Sequence, residues 1–439
     1  MSAPRVNWPF VAANTPNVAS TEGAYLVMDD GSRVLDAAGG AIVGNVGYGR
    51  REVAEAIADA AANCSYVIPP WLTPEREALV NELGEHWLPD HLSAIHLTCG
   101  GSEANESAVK TAVQYHAARG EPGKSIVLAR SLSYHGTTIN MAGTSGHAAR
   151  KKGLEGIISD VPRIQTPYPL RCPLGTFHPD AADYYIRDLE DTIARVGAEN
   201  IAALIAEPMN GSSGGAITPP EGYWPRAAEI LKANNILLIM DEVMTGFGRC
   251  GTRFGSELYG IEPDLLVAGK GMAGGYAAIA GVYGRPEIAD AIAESDYNVM
   301  FHTFGALPQS CAAAAKVLEI LRTENLIERV GHVGSQLMET LQSKFSQHPL
   351  VAEIRGEGLL IGFEIVRDRE TLTPFDESAH ITDQIVGTAM REGVFFYPGG
   401  TGEVRDIICI GAPFIIGDAE IDRMVNALDV ALNEISEAA

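Results

Sequence analysis

An apolar run ends in a lysine between two glycines at residues 265–272, which read LLVAGKGM. Lysine is a costly residue at the end of a buried strand unless its amine has a task. Glycines on both sides indicate that the backbone bends tightly there, or that it lets another group approach closely. We therefore predict that Lys270 carries an aldehyde cofactor as a Schiff base. From this stretch alone, an ordinary lysine in a glycine-rich loop would be the better interpretation. The other strand ends, described below, reverse that preference.

Size and charge limit the classes of protein to consider. The chain has 439 residues, of which 46% are hydrophobic and 20% charged, and it exceeds the length at which a single core stops growing. Its 32 Lys and Arg residues against 56 Asp and Glu residues give a formal net charge of −24. This acidity argues against partners such as nucleic acid or an anionic membrane, because both require basic patches.

The cysteines and the apolar segments indicate a cytoplasmic protein. Six cysteines are scattered along the chain without C-x-x-C pairs or metal-finger spacing, so we predict reduced thiols and no metal site. Residues 1–10 lack a basic region followed by an apolar run, which predicts no secretory signal. No stretch is long and apolar enough to predict a membrane-spanning helix.

Short apolar runs alternate with helical patterns through the middle of the chain. The runs occupy residues 94–98, 125–129, 201–206, 236–240, 265–268 and 279–283. Helical patterns between them include residues 102–119, 183–196 and 223–233. The alternation predicts an α/β fold with a mostly parallel sheet and helices on both faces. In such sheets, ligands bind beyond the carboxyl ends of the strands.

The pattern changes on either side of this region. Residues 1–65 predict a hairpin about the turn Asp29-Asp30-Gly31-Ser32 and one helix. From about residue 321, a long helical pattern is followed by three strands and a closing helix. We therefore expect a large domain over residues 66–320 and a smaller α+β domain built from residues 1–65 and 321–439. Residues 147–179 predict a long loop over the large domain.

The first strand end indicates an anion site. Residues 99–105 read CGGSEAN and open a helix directly after an apolar run. Free backbone N–H groups and the positive end of the helix dipole converge at such a point. Gly101 and Ser102 are candidate phosphate-binding residues, and Ser102 is also a candidate N-cap. A plain capped helix is the alternative. The stretch is not a G-x-G-x-x-G, so it implies no dinucleotide.

The next strand ends carry an aromatic ring and carboxylates. Tyr134 is placed to lie against a flat heterocycle, with a half-buried aromatic as the alternative. Glu207 is either near the site or a turn residue. Asp241 ends a very apolar run, so it needs a partner, and a protonated pyridine nitrogen would be one. Val243 lies two residues further on, on the same side of the strand, and could pack on the other face of the ring. The alternative for Asp241 is a residue that closes the strand before a loop.

Lys270 follows one further strand, and Thr303 offers a hydroxyl that could also bind phosphate. Singly these signals are weak. Together they place an anion site, a ring sandwich, a pyridinium partner and a nucleophilic amine on successive strand ends of one sheet. This set predicts a binding site for pyridoxal 5'-phosphate (PLP).

With these residues in hand, the chain strongly resembles the class III (subgroup II, ω-type) aminotransferases of PLP fold type I. The resemblance extends from Tyr25 to Ile421. Its motifs are Gly100-Gly101-Ser102-Glu103-Ala104-Asn105, Tyr134-His135-Gly136, Asp241-Glu242-Val243 with Thr245-Gly246-Phe247-Gly248-Arg249, Gly269-Lys270-Gly271 and His302-Thr303-Phe304.

The resemblance implies a homodimer or a dimer of dimers with the active site at the subunit interface. It assigns the phosphate to Gly101 and Ser102, and it assigns the two ring faces to Tyr134 and Val243. Asp241 would hold the pyridine nitrogen, Lys270 would form the Schiff base, and Thr303 would reach the phosphate bound in the partner subunit. His135 and Glu207 are further candidate cofactor-binding residues.

Departures from the family pattern concern the substrate. In ornithine- and GABA-type members, a glutamate after the Glu-Pro motif holds a switching arginine near the C-terminal Ala-Pro. The matching positions here are Ser212 and Ile410, so that pair is missing. Met244 stands where those members carry a glutamine after the Asp-Glu-Val. Arg405 stands seven residues before Ala412-Pro413, where amine:pyruvate-type members carry a mobile arginine. The parallel N–H groups of a guanidinium can bind both oxygens of a substrate carboxylate. The alternative for Arg405 is a solvated arginine at a strand edge. The candidate pocket walls are Trp71, Tyr66 and Phe304.

The predicted function is a ping-pong transamination from a primary amine or a β- or ω-amino acid to a 2-oxo acid, with pyruvate as the expected acceptor. Lys270 would move the proton between substrate and cofactor. The alternatives are a dialkylglycine-type decarboxylase, a semialdehyde aminomutase, and a non-catalytic binding protein on the same fold. The sequence leaves the donor open among monoamines, polyamines, taurine and amino acids.

Overall fold

The structure is a computed structural model that describes residues 16–438. The N-terminal stretch 1–10, for which no secretory signal is predicted, lies outside the described residues. Among the helices of the described part, none combines the length and apolar character needed to cross a membrane. All six cysteines are unpaired, as predicted.

Strands and helices alternate along the described chain. The strands are β1 (Val18–Glu22), β2 (Tyr25–Met28), β3 (Arg33–Asp36), β4 (Ala94–Thr98), β5 (Ile126–Arg130), β6 (Arg163–Ile164), β7 (Ile201–Ala206), β8 (Leu237–Asp241), β9 (Leu265–Ala268), β10 (Ala280–Gly284), β11 (Val351–Glu357), β12 (Leu360–Ile365), β13 (Val394–Phe395), β14 (Tyr397–Thr401) and β15 (Val404–Ile410). The helices are α1 (Gly39–Ile42), α2 (Arg51–Asn63), α3 (Pro74–Glu82), α4 (Gly101–Ala118), α5 (Ile139–Thr144), α6 (Ala148–Lys151), α7 (Ala181–Val196), α8 (Tyr223–Ala233), α9 (Pro286–Ala293), α10 (Pro308–Thr323), α11 (Leu326–Phe345), α12 (Ile381–Arg391) and α13 (Asp418–Ala438).

A seven-stranded sheet forms the centre of the fold, in the order β4-β10-β9-β8-β7-β5-β6. Its strands pair in parallel except β10, which is antiparallel to both of its neighbours. Every residue of β7, β8 and β9 is buried, as expected for strands covered on both faces. The prediction of a mostly parallel α/β sheet is confirmed.

The sheet brings the chemically interesting residues to one edge. Strand β10 is antiparallel to both β9 and β4, so β4 runs in the same direction as β5, β7, β8 and β9. The carboxyl ends of these five strands therefore lie along a single edge, where ligands bind in sheets of this kind. The residues that follow each of these strands are the candidates that the sequence predicts.

Two four-stranded sheets complete the fold, in the orders β1-β2-β3-β13 and β11-β12-β15-β14. The predicted hairpin is present, with β2 antiparallel to β3. Strand β3 also pairs in parallel with β13, so the N-terminal and C-terminal parts of the chain share one sheet. This pairing agrees with a small domain built from both ends, although the expected boundaries at residues 65 and 320 stay a prediction.

The predicted loop over residues 147–179 is largely irregular, but it contains α6 and β6. The segment before it is fastened by Arg163, which donates hydrogen bonds to the carbonyls of Gly143, Thr144 and Ser145. The sequence patterns did not predict α10 and α12, which pack against α2 and α13 respectively.

Candidate active site

Lys270 follows β9 at the edge where the parallel strands end. Its backbone lies in the left-handed region, with φ = 42°, a strained conformation for a residue with a side chain and one that is concentrated at functional sites. Burial lowers the pKa of its amine to about 8, and the Asp241 carboxylate partly opposes this effect. Near neutral pH a larger fraction of this amine is therefore neutral than of an ordinary lysine, and the neutral amine is the nucleophile.

Asp241 ends β8 and is buried, with 3% of its surface exposed. Its Oδ2 accepts hydrogen bonds from Nδ2 of Asn105 and from Nδ1 of His135, each at 2.8 Å, and its Oδ1 accepts one from the Val243 backbone N–H at 3.1 Å. Asn105 lies on α4 and also donates to the His135 carbonyl at 2.8 Å. Three donors thus hold this carboxylate in place.

Two glycines allow close packing around the start of α4. A Cβ added at Gly101 would lie 3.0 Å from Cγ1 of Val243, and one added at Gly136 would lie 2.6 Å from Oγ of Ser102. Gly136 has φ = 140°, so a side chain there would be strained as well as crowded. Ser102 Oγ accepts a hydrogen bond from the Thr137 backbone N–H at 3.0 Å. The loop after β5 is thereby joined to the N-terminus of α4.

Glu207, after β7, supports the wall of the site. Its Oε1 accepts hydrogen bonds from the backbone N–H groups of Tyr134 at 3.2 Å and Gly211 at 3.4 Å. Burial raises the pKa of its carboxyl group, with His135 as the main opposing influence. The Glu207 carbonyl accepts a hydrogen bond from Arg130 at 2.7 Å, whose guanidinium lies over the Trp224 ring. Glu207 therefore fixes the backbone that presents Tyr134.

A cavity of about 190 Å³ connects these residues. Its lining consists of Gly101, Ser102, Asn105, Tyr134, His135, Gly136, Glu207, Gly211, Ser212, Asp241, Val243, Met244 and Lys270. Val243 lines it although β8 ends at Asp241, so the strand alternation used to predict its direction does not apply. A larger cavity of about 610 Å³ lies at the opposite edge of the sheet, beside the starts of β8 and β9, away from these residues.

Several predicted substrate residues lie outside the cavity in this single chain. Tyr66, Trp71 and Phe304 are exposed by 45%, 67% and 61%, and Thr303 is exposed as well. The rings of Tyr66 and Phe304 contact each other edge to face at 6.4 Å.

Arg405 is not in the cavity lining either. Its guanidinium donates hydrogen bonds to the carbonyls of Gly402, at 3.0 Å, and Phe375.

Sequence reasoning missed the roles of three residues. Asn105 belongs to a sequence motif that gives no sign of its contact with Asp241. Gly136 has no side chain, and this lets Ser102 Oγ lie close to its backbone. Arg150, on α6, places its guanidinium 4.5 Å from the centre of the Tyr134 ring. Asn105 contacts a strand that comes 136 positions later in the chain. Only the three-dimensional structure shows this contact.

The residues present fit PLP. Nε2 of His135, Oε2 of Glu207 and Oδ1 of Asn105 are buried atoms without a hydrogen-bond partner within the described residues, which a bound polar ligand would explain. Gly101 and Ser102 line the cavity at the N-terminus of α4, and phosphate binds readily at a helix N-terminus. A buried carboxylate and a lysine with a lowered pKa complete the set. In the part of the chain that the structure describes, no group of three or more His, Cys, Asp or Glu residues could hold a metal ion.

Comparison with known proteins gives the same answer. The family model for class-III aminotransferases matches residues 11–432. The putrescine–pyruvate aminotransferase of Pseudomonas aeruginosa is 32% identical, over 96% of this chain and 91% of that protein. The taurine–pyruvate aminotransferase of Rhodobacter capsulatus is 32% identical, over 92% and 89%. The solved structure of an amine transaminase from an uncultivated Pseudomonas species, in its PLP-bound form, matches with a TM-score of 0.92 and 33% identity, over 99% of each chain.

The fold and the cavity define a PLP-dependent enzyme of fold type I. More narrowly, the chain belongs to the class-III aminotransferase family. It is a PLP-dependent transaminase, and its cofactor is pyridoxal phosphate. The predictions of family, fold, enzyme class and cofactor are confirmed.

Proposed function

We propose that this transaminase moves an amino group from a primary amine, or from a β- or ω-amino acid, to a 2-oxo acid, with pyruvate as the acceptor. The observation that carries the proposal is the Lys270 amine, whose pKa is lowered to about 8 in a cavity that also contains the buried Asp241 carboxylate. The acceptor is inferred from relatives named as putrescine–pyruvate and taurine–pyruvate aminotransferases.

The proposed cofactor contacts follow from the cavity lining. Gly101 and Ser102, at the N-terminus of α4, would bind the phosphate. Tyr134 and Val243 would pack on the two faces of the pyridine ring, and Asp241 would bind the ring nitrogen. His135 and Glu207 would act indirectly, since His135 donates to Asp241 and Glu207 holds the Tyr134 backbone. Thr303, which is exposed in one chain, would reach the phosphate of a partner subunit.

Bound PLP supplies an electron sink for the charge that develops on the substrate carbon. Lys270 supplies the proton transfers, because an amine with a pKa near ambient pH can act first as general base and then as general acid. Asp241, oriented by three hydrogen bonds, would hold the pyridine nitrogen of the bound cofactor. The buried strand ends around both residues exclude bulk water, which strengthens these electrostatic effects.

We further propose a homodimer or dimer of dimers with the site at the interface, in the cytoplasm. Large apolar side chains, among them Trp71, Phe304 and Met300, are exposed at 67%, 61% and 74% in the single chain, and a subunit interface would cover them. Tyr66, Trp71 and Phe304 would then form pocket walls once covered. Six free cysteines suit a reducing compartment. The division into domains at residues 65 and 320 belongs to the same proposal.

The test is a panel of amines, each offered to the holoenzyme with pyruvate or with 2-oxoglutarate. The cofactor absorbance reports the two half-reactions separately. The proposal expects conversion by amine alone, reversal by pyruvate, and alanine as product. Release of carbon dioxide would favour a dialkylglycine-type decarboxylase, and turnover without an acceptor would favour an aminomutase. Retained turnover in Lys270→Ala would overturn the assigned role of this lysine.

A further inference from the structure

Arg150 places a guanidinium beside the ring that lines the cavity. Its Cζ lies 4.5 Å from the centre of the Tyr134 ring, and Tyr134 is part of the cavity lining. The distance is that of a cation–π contact, which orients the planar guanidinium against the aromatic face. Arg150 is also close enough to Lys270 to help lower the pKa of that amine, after burial and the Arg249 guanidinium. The guanidinium and the reactive amine therefore belong to one electrostatic environment.

The short helix α6 that carries Arg150 is tied down on both sides. Before it, the Gly146 backbone N–H donates to the carbonyl of Ser133 at 3.0 Å and to its Oγ at 2.9 Å. A Cβ at Gly146 would lie 2.1 Å from the Ser131 carbonyl oxygen, so this close approach requires glycine. On the helix itself, the Ala149 N–H donates to Oγ1 of Thr401 on β14 at 3.4 Å. The position of Arg150 relative to Tyr134 is thus set by the backbone.

The guanidinium of Arg150 has donors to spare. Within residues 16–438, its side chain makes one hydrogen bond, to the hydroxyl of Tyr397 on β14 at 3.5 Å, and no ion pair with a carboxylate. Its neighbour His147 is neutral at neutral pH, because burial and then Arg150 lower the pKa of His147 to about 4. Arg150 is therefore an exposed and largely unpaired cation beside the cavity.

Arg405 offers a contrast. Its guanidinium already donates to the carbonyls of Gly402 and Phe375, so it would have to break both hydrogen bonds to bind a substrate. Arg150 would break only the long contact to Tyr397.

We propose that Arg150 binds the carboxylate of the 2-oxo acid acceptor, stacked on Tyr134, with the Tyr397 hydroxyl as a second donor. Arg405 then serves to join its strand to the neighbouring loop. The inference rests on the proposed transamination and deepens it, because it names the residue that distinguishes acidic acceptors from uncharged aldehydes. A guanidinium is suited to this task, since its parallel N–H groups match the two oxygens of a carboxylate.

The experiment compares holoenzyme variants with an acceptor that carries a carboxylate and one that does not. Arg150→Met removes the guanidinium, whereas Arg150→Lys keeps the positive charge but loses the parallel N–H donors. The control variant Lys152→Met removes an exposed cation two residues away. Steady-state constants are measured with pyruvate and with propanal, which has no carboxylate. We expect Arg150→Met to raise the KM for pyruvate about 10- to 100-fold and to change kcat/KM for propanal far less, since propanal loses only the influence of Arg150 on the Lys270 amine. Arg150→Lys should be intermediate, and Lys152→Met should match the wild type.

A second measurement does not depend on turnover. Titration of the holoenzyme with propionate, followed by cofactor absorbance, measures carboxylate binding by itself, and Arg150→Met should weaken it by the same factor. Equal loss of both acceptors, or a pyruvate KM raised by Arg405→Met and not by Arg150→Met, would overturn the proposal. Wild-type enzyme that binds propionate through Arg150 but transfers no amine to pyruvate would instead overturn the proposed function and keep the carboxylate site.

Discussion

Replacing Asn105 with alanine should weaken cofactor binding without any direct contact to the reacting atoms. In the structure, Nδ2 of Asn105 donates one of the three hydrogen bonds to the Asp241 carboxylate, at 2.8 Å. A hydrogen bond to a charged group contributes about 1.5 to 3 kcal/mol, and water cannot replace it because both residues are buried. If the full loss reaches the contact between Asp241 and the pyridine nitrogen, the dissociation constant of PLP rises about 10- to 100-fold.

The measurement is an absorbance titration of the apoprotein with PLP, at matched ionic strength. Asn105→Asp should weaken binding further than Asn105→Ala, since a second carboxylate would face Asp241 at hydrogen-bond distance and repel its negative charge. Asn140→Ala is the matched control, because Asn140 is exposed and donates to Glu106 instead. An Asn105→Ala protein that is folded, as judged by urea unfolding, and binds PLP as tightly as the wild type would refute this reasoning.

Three further predictions concern the same site and its supports. The rate at which apoprotein captures PLP covalently should rise with pH through about 8, the lowered pKa of Lys270, because only the neutral amine attacks; a stopped-flow profile with its midpoint near 10.5 would contradict this. Gly136→Ala should raise the PLP dissociation constant at least about tenfold, since its Cβ would lie 2.6 Å from Ser102 Oγ at a positive φ that costs about 1 to 3 kcal/mol. In the same titration Gly84→Ala, where nothing lies within 4 Å, should change nothing. Arg355→Met should lower the free energy of unfolding by about 3 to 5 kcal/mol in urea titrations, because it leaves the buried Glu364 carboxylate without this partner; a loss below about 1 kcal/mol would show that the ion pair contributes little.

The strand ends were predictable because the rule behind them is simple. Buried parallel strands are continuous apolar runs, and their carboxyl ends meet at one edge. The runs ending at Thr98, Ala206 and Ala268 have the predicted bounds. The same rule directs attention to the polar residues that end or follow these runs. The sequence alone could therefore nominate Lys270 and Asp241 as candidate site residues.

Residues that act across elements could not be predicted in the same way. Asn105 is 136 positions from Asp241, and its place on a helix gives no hint that the two side chains meet. Arg150 lies on a four-residue helix inside a segment whose composition predicts only a loop. Arg405 matched a family position, but its hydrogen bonds to Phe375 and Gly402 depend on how the C-terminal sheet packs. Long-range packing, rather than local pattern, decides each of these cases.

The segment that carries Ser212 is attached to a different sheet from the one that carries Lys270. Arg355 on β11 donates hydrogen bonds to the carbonyls of Gly214 and Gly215, and the Gly400 N–H on β14 donates to the Ser212 carbonyl at 2.7 Å. The Ser212 side of the cavity is therefore held by the C-terminal sheet, while Lys270 and Asp241 are held by the central one. Such a division separates two evolutionary demands: substitutions in the C-terminal sheet can reshape the Ser212 side of the cavity while Lys270 and Asp241 keep their places.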